Sequence, residues 1–173
     1  MAFQTTITGR VWKFGDNIST TDITPGEMFM NTLNTTMVPK EIAFAAKRPE
    51  WRSLVQPGDC IVAGKNFGMG SHRAIANDVM IDLGIGCILA DSIARIYYRN
   101  ALASGFVAMA CPCVSELFEE GDRLEVNILT GEVKNLSSGK SLLAAPYPPE
   151  LLEILENGGM VPALLKKFSG EQA

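Results

Sequence analysis

The chain has 173 residues and 47% apolar content, which suits a single domain over residues 1–173 with a sizeable core. Its net charge of −4 and its pI near 5.0 argue against a general nucleic-acid binder. No run of 18 apolar residues predicts a membrane span, and residues 1–12 alternate in polarity rather than forming a signal peptide. We therefore expect a cytoplasmic protein without a membrane or nucleic-acid partner.

The first part of the chain predicts one strand followed by less regular segments. Residues 5–14 alternate with period two, which is typical of a strand. Residues 18–25 are rich in hydroxyl side chains and indicate a loop. Pro39 suits the first position of a helix over residues 40–47, and residues 48–58 are predicted to be a connecting loop.

Two strand–helix units and a third strand come next. The apolar run 59–63 predicts a buried strand, and a glycine-rich turn leads from it into a helix expected over residues 71–83. A strand over 86–90 precedes a helix over 93–103, and residues 106–110 predict a third buried strand. Short apolar strands that alternate with helices predict a parallel or mixed sheet covered by helices.

The pattern changes after residue 113. A short amphipathic helix is predicted over 114–120. Two alternating runs, 124–129 and 132–136, are joined by Thr130-Gly131, which is a hairpin signal. Two short helices, over 148–156 and 160–168, are expected to close the chain before a frayed tail.

The four cysteines do not follow a metal-binding or redox spacing. Cys60 and Cys87 lie in apolar runs and are predicted to be small core residues. Cys111 and Cys113 are separated by one residue, which is a poor spacing for a redox or zinc pair. With one histidine in the whole chain, the sequence predicts no metal site of its own.

The stretch with the most chemistry is 64–76, GKNFGMGSHRAIA. Its glycines allow a backbone to approach a ligand closely, and the amides of a following helix favour an anion. Ser71 adds a hydroxyl, and Arg73 adds a fork of charged donors suited to a carboxylate. Lys65 precedes Gly68 and Gly70 rather than following them, so the spacing is not that of a phosphate-binding loop. The alternative is a turn in which Ser71 caps the helix and nothing binds.

Four segments in the same order resemble one known family. They are 9–18 (GRVWKFGDNI), 64–76, 90–101 (ADSIARIYYRNA) and 148–162 (PPELLEILENGGMVP). Together they resemble, almost end to end, the small subunit of 3-isopropylmalate dehydratase, which is a swivel domain of the aconitase superfamily. The resemblance implies an α/β fold of the aconitase swivelling-domain type (β/β/α), with a mixed sheet of strand–helix units plus a β-hairpin.

The same resemblance implies an activity. These hydro-lyases dehydrate and rehydrate a 2-hydroxy acid that carries two carboxylates, as in leucine biosynthesis. They act as a complex with a large subunit that carries a [4Fe–4S] cluster, so this chain itself is expected to hold no cofactor. By position, Ser71 is the serine base that removes the proton α to a carboxylate. Gly70 and Arg73 are expected to supply the electropositive setting, and Arg73 to clamp a substrate carboxylate.

The sequence departs from the family pattern at three places. Where the family has Ser-Ser-Arg-Glu-His-Ala, this chain has SHRAIA, so His72 either stabilises a serine alkoxide or contacts substrate, or is an ordinary surface histidine. The Asp-Asn-Ile-Asp-Thr-Asp motif is two aspartates short. The loop that sets substrate choice in the family, often through Tyr-Leu-Arg, here contains Met28, Phe29 and Met30. Such apolar substrate-binding residues suit an alkyl substituent better than a third carboxylate.

Other assignments stay open at this point. A related substrate of the 2,3-dimethylmalate, citraconate/methylmalate or homoaconitate type is an alternative, and so is a non-catalytic binding module that kept the swivel fold. We expect Arg95 and Arg99 to form structural ion pairs rather than to contact substrate. Asp91 and Ser92 are expected to cap the helix that follows them.

Overall fold

A computed structural model describes residues 4–25, 39–71 and 74–169. Within these ranges, seven strands form one mixed sheet in the order β4-β3-β2-β1-β5-β6-β7. The strands are β1 (Thr6–Lys13), β2 (Cys60–Ala63), β3 (Ile88–Ala90), β4 (Ala108–Ala110), β5 (Arg123–Asn127), β6 (Glu132–Asn135) and β7 (Ser141–Leu143). The predicted α/β fold, with its mixed sheet, strand–helix units and hairpin, is confirmed.

Seven α-helices and one 3-10 helix connect the strands in the described part of the chain. They are α1 (Thr20–Ile23), the 3-10 helix (Pro39–Ile42), α2 (Trp51–Leu54), α3 (Ile75–Asp82), α4 (Arg95–Ala103), α5 (Val114–Leu117), α6 (Pro149–Glu156) and α7 (Met160–Phe168). None of these helices has the length and apolar character needed to cross a membrane.

The first four strands are parallel and lie side by side in chain order. Because each new strand is added on the same side, right-handed crossovers place the connecting helices on one face of the sheet. Side chains alternate between faces along each strand. Ile61 and Ile88 therefore join the core beneath α3 and α4, while Val62 and Leu89 join the core on the other face.

The antiparallel strands β5, β6 and β7 curl over that second face. Leu124 and Val126 of β5 and Val133 of β6 pack in the same core as Val62 and Leu89. The predicted hairpin between β5 and β6 is confirmed, with antiparallel pairing of Val126 and Val133. No strand was predicted at β7, a three-residue strand that completes the meander by pairing with β6. The antiparallel strands, together with Val114 of α5 and Leu155 of α6, thus cover the second face, while α3 and α4 cover the first.

An aromatic cluster overrides the helix predicted over residues 40–47. Only the 3-10 helix forms there, because Phe44 adopts a left-handed backbone with φ of 55°. This conformation sends the fully buried Phe44 ring against Phe14, with ring centroids 4.4 Å apart. The predicted loop that follows contains the one-turn helix α2, which Trp51 anchors by packing against the Phe44 ring. Tertiary packing therefore explains why residues 40–47 do not form the predicted α-helix and why helix α2 forms in the predicted loop.

A capping box turns the predicted loop over residues 18–25 into helix α1. The Ser19 hydroxyl accepts the Asp22 N–H at 3.0 Å, and the Asp22 carboxylate accepts the Ser19 N–H at 2.8 Å. This reciprocal pair satisfies two amides that a helix start leaves unbonded. The short helix places Thr20 in a buried position facing the loop that follows β2.

A buried carboxylate ties the start of β2 to β1. Asp59, only 6% exposed, accepts hydrogen bonds from Arg10 Nη2 at 2.6 Å, Trp12 Nε1 at 2.7 Å and the Gln56 N–H at 2.9 Å. Burial alone would raise the pKa of the Asp59 carboxyl. The hydrogen bonds from Arg10, Trp12 and Gln56 outweigh burial and hold that pKa below its ordinary value.

This depressed pKa predicts how stability depends on pH. The stabilisation from Asp59 is fully present above the unfolded-state pKa of about 4 and is lost as the pH falls through the lower folded-state pKa. We expect Asp59→Asn to reduce the free energy of unfolding at pH 7 by about 1–3 kcal/mol and to flatten its dependence on acid. Urea unfolding between pH 2 and pH 7 measures both effects. The exposed Asp82→Asn serves as a control, and an unchanged acid slope in Asp59→Asn would contradict the assignment.

Candidate functional site

Three loops meet at the carboxyl edge of the parallel strands, where open α/β sheets place their ligands. They follow β1, β2 and β3 respectively. The middle one, residues 64–71, is called the glycine loop below. It lies between the other two loops and is hydrogen-bonded to both, so neighbouring backbone segments fix its position from two sides.

On one side, the glycine loop is bonded to the segment that follows β1. The Lys65 N–H donates to Asp16 Oδ1 at 2.7 Å, and the Gly68 N–H donates to the Ile18 carbonyl at 2.7 Å. A Cβ on Gly64 would overlap the Asp16 carboxylate, so a side chain there would displace that carboxylate from its hydrogen bond with Lys65. The Asp-Asn-Ile part of the family motif is therefore the support on which the glycine loop rests.

On the other side, the glycine loop is bonded to the segment that follows β3. The Asn66 N–H donates to Ser92 Oγ at 2.9 Å, and the Phe67 N–H donates to the Ser92 carbonyl at 3.0 Å. The Ala94 N–H returns a bond to the Phe67 carbonyl at 2.8 Å. These bonds connect the loop to the residues that lead into α4.

The expectation that Asp91 and Ser92 cap α4 is wrong. The N-cap residue of α4 is Ala94, which offers no side-chain acceptor. Ser92 instead accepts from the glycine loop, and the Asp91 carboxylate accepts the N–H of Ser115 at 3.0 Å and its hydroxyl at 2.7 Å. Both side chains bind segments that are distant in sequence.

Ser71 stands at the end of the glycine loop and is half-buried. Its N–H donates to Thr20 Oγ1 at 2.9 Å, and Thr20 is 4% exposed. The Thr20 N–H in turn donates to the Met69 carbonyl at 2.8 Å. Thr20 therefore holds the backbone on both sides of Gly70 and sets the position from which the Ser71 side chain projects.

The helix that was expected to start near Ser71 starts later. α3 begins at Ile75 with Ala74 as its N-cap residue, so Ser71 does not cap it. The physical reason is the bond to Thr20, which directs the Ser71 amide toward α1 rather than into a helical turn. The first amides of α3 thus belong to residues beyond the serine. His72, Arg73, Met28, Phe29 and Met30 lie outside the described residues.

Two glycines give the loop its shape. Gly68 has φ of 77°, and a Cβ there would lie 2.2 Å from Tyr97 Cγ, so the loop backbone lies flat against the Tyr97 ring of α4. Gly70 has φ of 107°, a backbone conformation that side chains rarely adopt. A Cβ at Gly70 would lie 3.3 Å from Thr20 Oγ1. Both close approaches explain why glycine is needed beside the serine.

An open pocket of about 560 Å³ lies between the glycine loop and the start of α4. Residues 68–70 form one wall, and Arg95, Ile96 and Arg99 form the other. Structural ion pairs were expected for both arginines. Within residues 4–25, 39–71 and 74–169, neither guanidinium has a carboxylate at ion-pair distance, so that expectation is wrong there. Both side chains are exposed beside the loop that carries Ser71.

Comparisons with known proteins agree with this arrangement. Residues 20–112 match the family model described as the aconitase C-terminal domain. The chain belongs to the aconitase C-terminal domain family. A crystal structure described as 3-isopropylmalate dehydratase from Methanocaldococcus jannaschii aligns with a TM-score of 0.85 at 31% identity, covering 95% of this chain and 96% of that one.

Curated relatives of this aconitase-type domain extend over nearly its whole length. The isopropylmalate/citramalate isomerase small subunit of Methanocaldococcus jannaschii is 44% identical over 169 residues, which is 96% of this chain and 98% of the relative. The 3-isopropylmalate dehydratase small subunit 1 of Thermotoga maritima is 45% identical, covering 94% and 97%. The methanogen homoaconitase small subunit of Methanothermobacter thermautotrophicus is 38% identical, covering 92% and 91%.

The described cysteines of this aconitase-type domain do not fit an iron–sulfur cluster. Cys60 and Cys87 are buried in the core, as predicted, and the hydrogen bond between them and burial raise the pKa of the Cys87 thiol. Burial, with the charges of Asp91 and Cys113, raises the pKa of the Cys111 thiol to about 11, while Cys113 is exposed. Protonated thiols are poor metal ligands. Among the described residues, no three histidine, cysteine or acidic side chains are grouped to hold a metal ion.

Sequence reasoning missed one residue of the site and misjudged two others. Thr20 was assigned to a loop, and its contact with Ser71 joins positions 51 residues apart. Arg95 and Arg99 were assigned to ion pairs, although their i, i+4 spacing was a visible signal that both lie on one helix face. The roles of Ser71 and Gly70 in chemistry and binding remain predictions.

Proposed function

We propose that this chain is the small subunit of a heteromeric hydro-lyase of the 3-isopropylmalate dehydratase type, which interconverts 2-isopropylmalate and 3-isopropylmalate. The observation that carries the proposal is its 44% identity, over almost the full length of both chains, to a small subunit named for isopropylmalate and citramalate. On this proposal residues 1–173 act as one cytoplasmic swivel domain, and a large aconitase-like subunit carries the [4Fe–4S] cluster.

In the proposed reaction, Ser71 Oγ removes the proton from the substrate carbon next to a carboxylate. With that proton held on Ser71, the C–O bond of the neighbouring carbon breaks and hydroxide leaves, so the unsaturated diacid has lost the elements of one water. Readdition reverses both steps: the hydroxide bonds to the other carbon, and the proton returns to the carbon that carried the hydroxyl. A cluster in the large subunit would supply Lewis-acid activation of the hydroxyl. A serine hydroxyl is a weak base at neutral pH, so Ser71 needs positive charge nearby, which Arg73 and the amide of Gly70 are positioned in sequence to supply.

The substrate class follows from the loop composition. Met28, Phe29 and Met30 stand at the sequence positions of the family's specificity loop and are proposed to bind the side group of the substrate, with His72, next to the serine in sequence, proposed as a polar substrate-binding residue. Apolar side chains favour the alkyl group of isopropylmalate over the extra carboxylate of a homocitrate-like acid, because a buried carboxylate without a partner is costly. The homoaconitase small subunit among the relatives makes a homoaconitate-type substrate the second candidate.

Reconstitution with the large subunit tests the proposal. The two chains are expressed together under anaerobic conditions and assayed with 2-isopropylmalate, citramalate, 2,3-dimethylmalate and homocitrate. We expect a brown complex with its highest kcat/KM on 2-isopropylmalate, and no turnover by either chain alone. Turnover of none of the four acids by a complex with intact cluster would contradict the proposal and favour a non-catalytic binding module.

The hydrogen bond from Ser71 to Thr20 predicts a positioning role for the threonine. In Thr20→Val the Ser71 N–H loses its acceptor, so the loop shifts and kcat is expected to fall about 10–100-fold, since small displacements of a catalytic group are costly. Thr20→Ser keeps the hydroxyl and should restore most of kcat. Steady-state kinetics of the assembled enzyme measure both, and a purely structural role would lower the melting temperature without this rescue of kcat.

A further inference from the structure

Two exposed arginines of α4 form one side of the pocket beside the glycine loop. Arg95 and Arg99 are one helical turn apart, so their side chains emerge from the same face of the helix, about 5–6 Å apart at Cβ. Both line the pocket, and both are exposed. Two positive charges thus lie next to the loop that ends in Ser71.

Two other arginines of the described chain are paired with carboxylates of the chain itself. Arg10 lies 2.6 Å from the Asp59 carboxylate, and Arg48 lies 2.7 Å from the Glu120 carboxylate. For Arg95 and Arg99, no carboxylate lies within 4 Å among residues 4–25, 39–71 and 74–169. The pair is therefore available to an acidic group from outside this part of the chain.

The apolar side chains between these charges point to a protein rather than to a small acid. Met69 is 42% exposed and Ile96 is 47% exposed, and both line the same pocket as the arginines. Small ligands bind in pockets that enclose most of their surface, whereas this one is wide open. Arginine and methionine around an apolar centre are enriched at protein–protein interfaces, where arginines are frequent hot spots.

We infer that Arg95, Arg99, Met69 and Ile96 form the surface that docks on the large subunit, against a patch with an apolar centre and carboxylates opposite the two guanidiniums. This inference rests on the proposed function for the existence of that subunit. The four residues are called the docking surface below.

Hydrogen bonds and side-chain packing connect the docking surface to the loop that carries Ser71. Phe67 and Ala94 are hydrogen-bonded at 2.8 Å, and Gly68 lies against the Tyr97 ring, so the glycine loop and α4 behave as one body. An acidic patch that binds α4 therefore also fixes where Ser71 stands relative to the partner. Electrostatic complementarity of this kind gives register and orientation as well as affinity.

Charge reversal tests the docking surface. Arg95→Glu, Arg99→Glu and the double variant are compared with Arg123→Glu, a reversal of an exposed arginine on β5. Association with the large subunit is measured by isothermal titration calorimetry at two salt concentrations, and kcat and KM are measured at saturating large subunit. Each single reversal should raise the Kd of the complex about tenfold and the double about 100-fold, while Arg123→Glu changes it less than about twofold.

The salt dependence and KM separate the possible outcomes. The wild-type Kd should rise with salt, and the double variant should lose most of that dependence, with KM unchanged once the complex is saturated. An unchanged Kd with a raised KM would make the arginines substrate ligands and overturn the inference, and so would no change in either. Arg95→Gln and Arg99→Gln provide milder variants if a reversal fails to fold. A complex whose assembly depends on the arginines but that turns over no malate derivative would support the docking surface and contradict the proposed function.

Discussion

Replacing Ser71 by alanine is expected to lower kcat of the assembled enzyme by about 10³-fold or more, because the change removes the proposed base while leaving binding groups in place. The Ser71→Ala variant removes the hydroxyl without removing the hydrogen bond that positions the loop. The bond that positions the loop runs from the Ser71 backbone N–H to Thr20 Oγ1, so alanine keeps it. Assembly with the large subunit and KM should therefore change little.

The matched control for Ser71→Ala is Ser92→Ala. Ser92 Oγ accepts the Asn66 N–H and supports the same loop, but its hydroxyl has no proposed part in proton transfer. We expect Ser92→Ala to lower kcat by about tenfold at most, through a small loop shift. Near-normal turnover in Ser71→Ala would show that this serine is not the base. Equal losses in the two variants would assign both hydroxyls a supporting role.

The parts of the fold that the sequence predicted are those set by local pattern. Fully buried parallel strands such as Cys60–Ala63 are short apolar runs, and the hairpin carries its own turn signal at Thr130-Gly131. The parts that were missed depend on long-range packing. Phe44 leaves the helical conformation because its ring fills a place beside Phe14, and no window of sequence around residue 44 contains that information.

The candidate site likewise contains residues that a local motif predicts and residues that only long-range contacts reveal. Ser71 and its glycines were predicted from a short motif, since a tight turn and a hydroxyl leave a local signature, and their role in the site stays a prediction. Thr20 was not found, because its role depends on a hydrogen bond to a residue in a different strand–helix unit. The finding that Arg95 and Arg99 have no carboxylate at ion-pair distance among residues 4–25, 39–71 and 74–169 also cannot be read from sequence, because it depends on the position of every neighbouring segment.

Gly68→Ala is expected to destabilise the chain by about 3 kcal/mol or more, because a left-handed backbone costs about 1–2 kcal/mol and overpacking about 1–3 kcal/mol at such a site. Alanine at φ of 77° is strained on its own, and its Cβ would also lie 2.2 Å from Tyr97 Cγ and 2.4 Å from Tyr97 Cβ. Tyr97 cannot yield easily: it is fully buried in the core and belongs to the body of α4.

A variant at a second glycine separates the cost of the left-handed backbone from the cost of the overlap with Tyr97. Gly139 has φ of 74° and no atom within 4 Å of the position of a Cβ, so Gly139→Ala carries the backbone strain without the overlap and should cost about 1–2 kcal/mol. Urea unfolding of both variants gives the difference that belongs to the Tyr97 contact. Because the loop must move away from α4 to accommodate alanine, Ser71 moves with it, and kcat of assembled Gly68→Ala should fall further than stability alone explains. Equal destabilisation by the two variants would show that the loop does not lie flat against Tyr97.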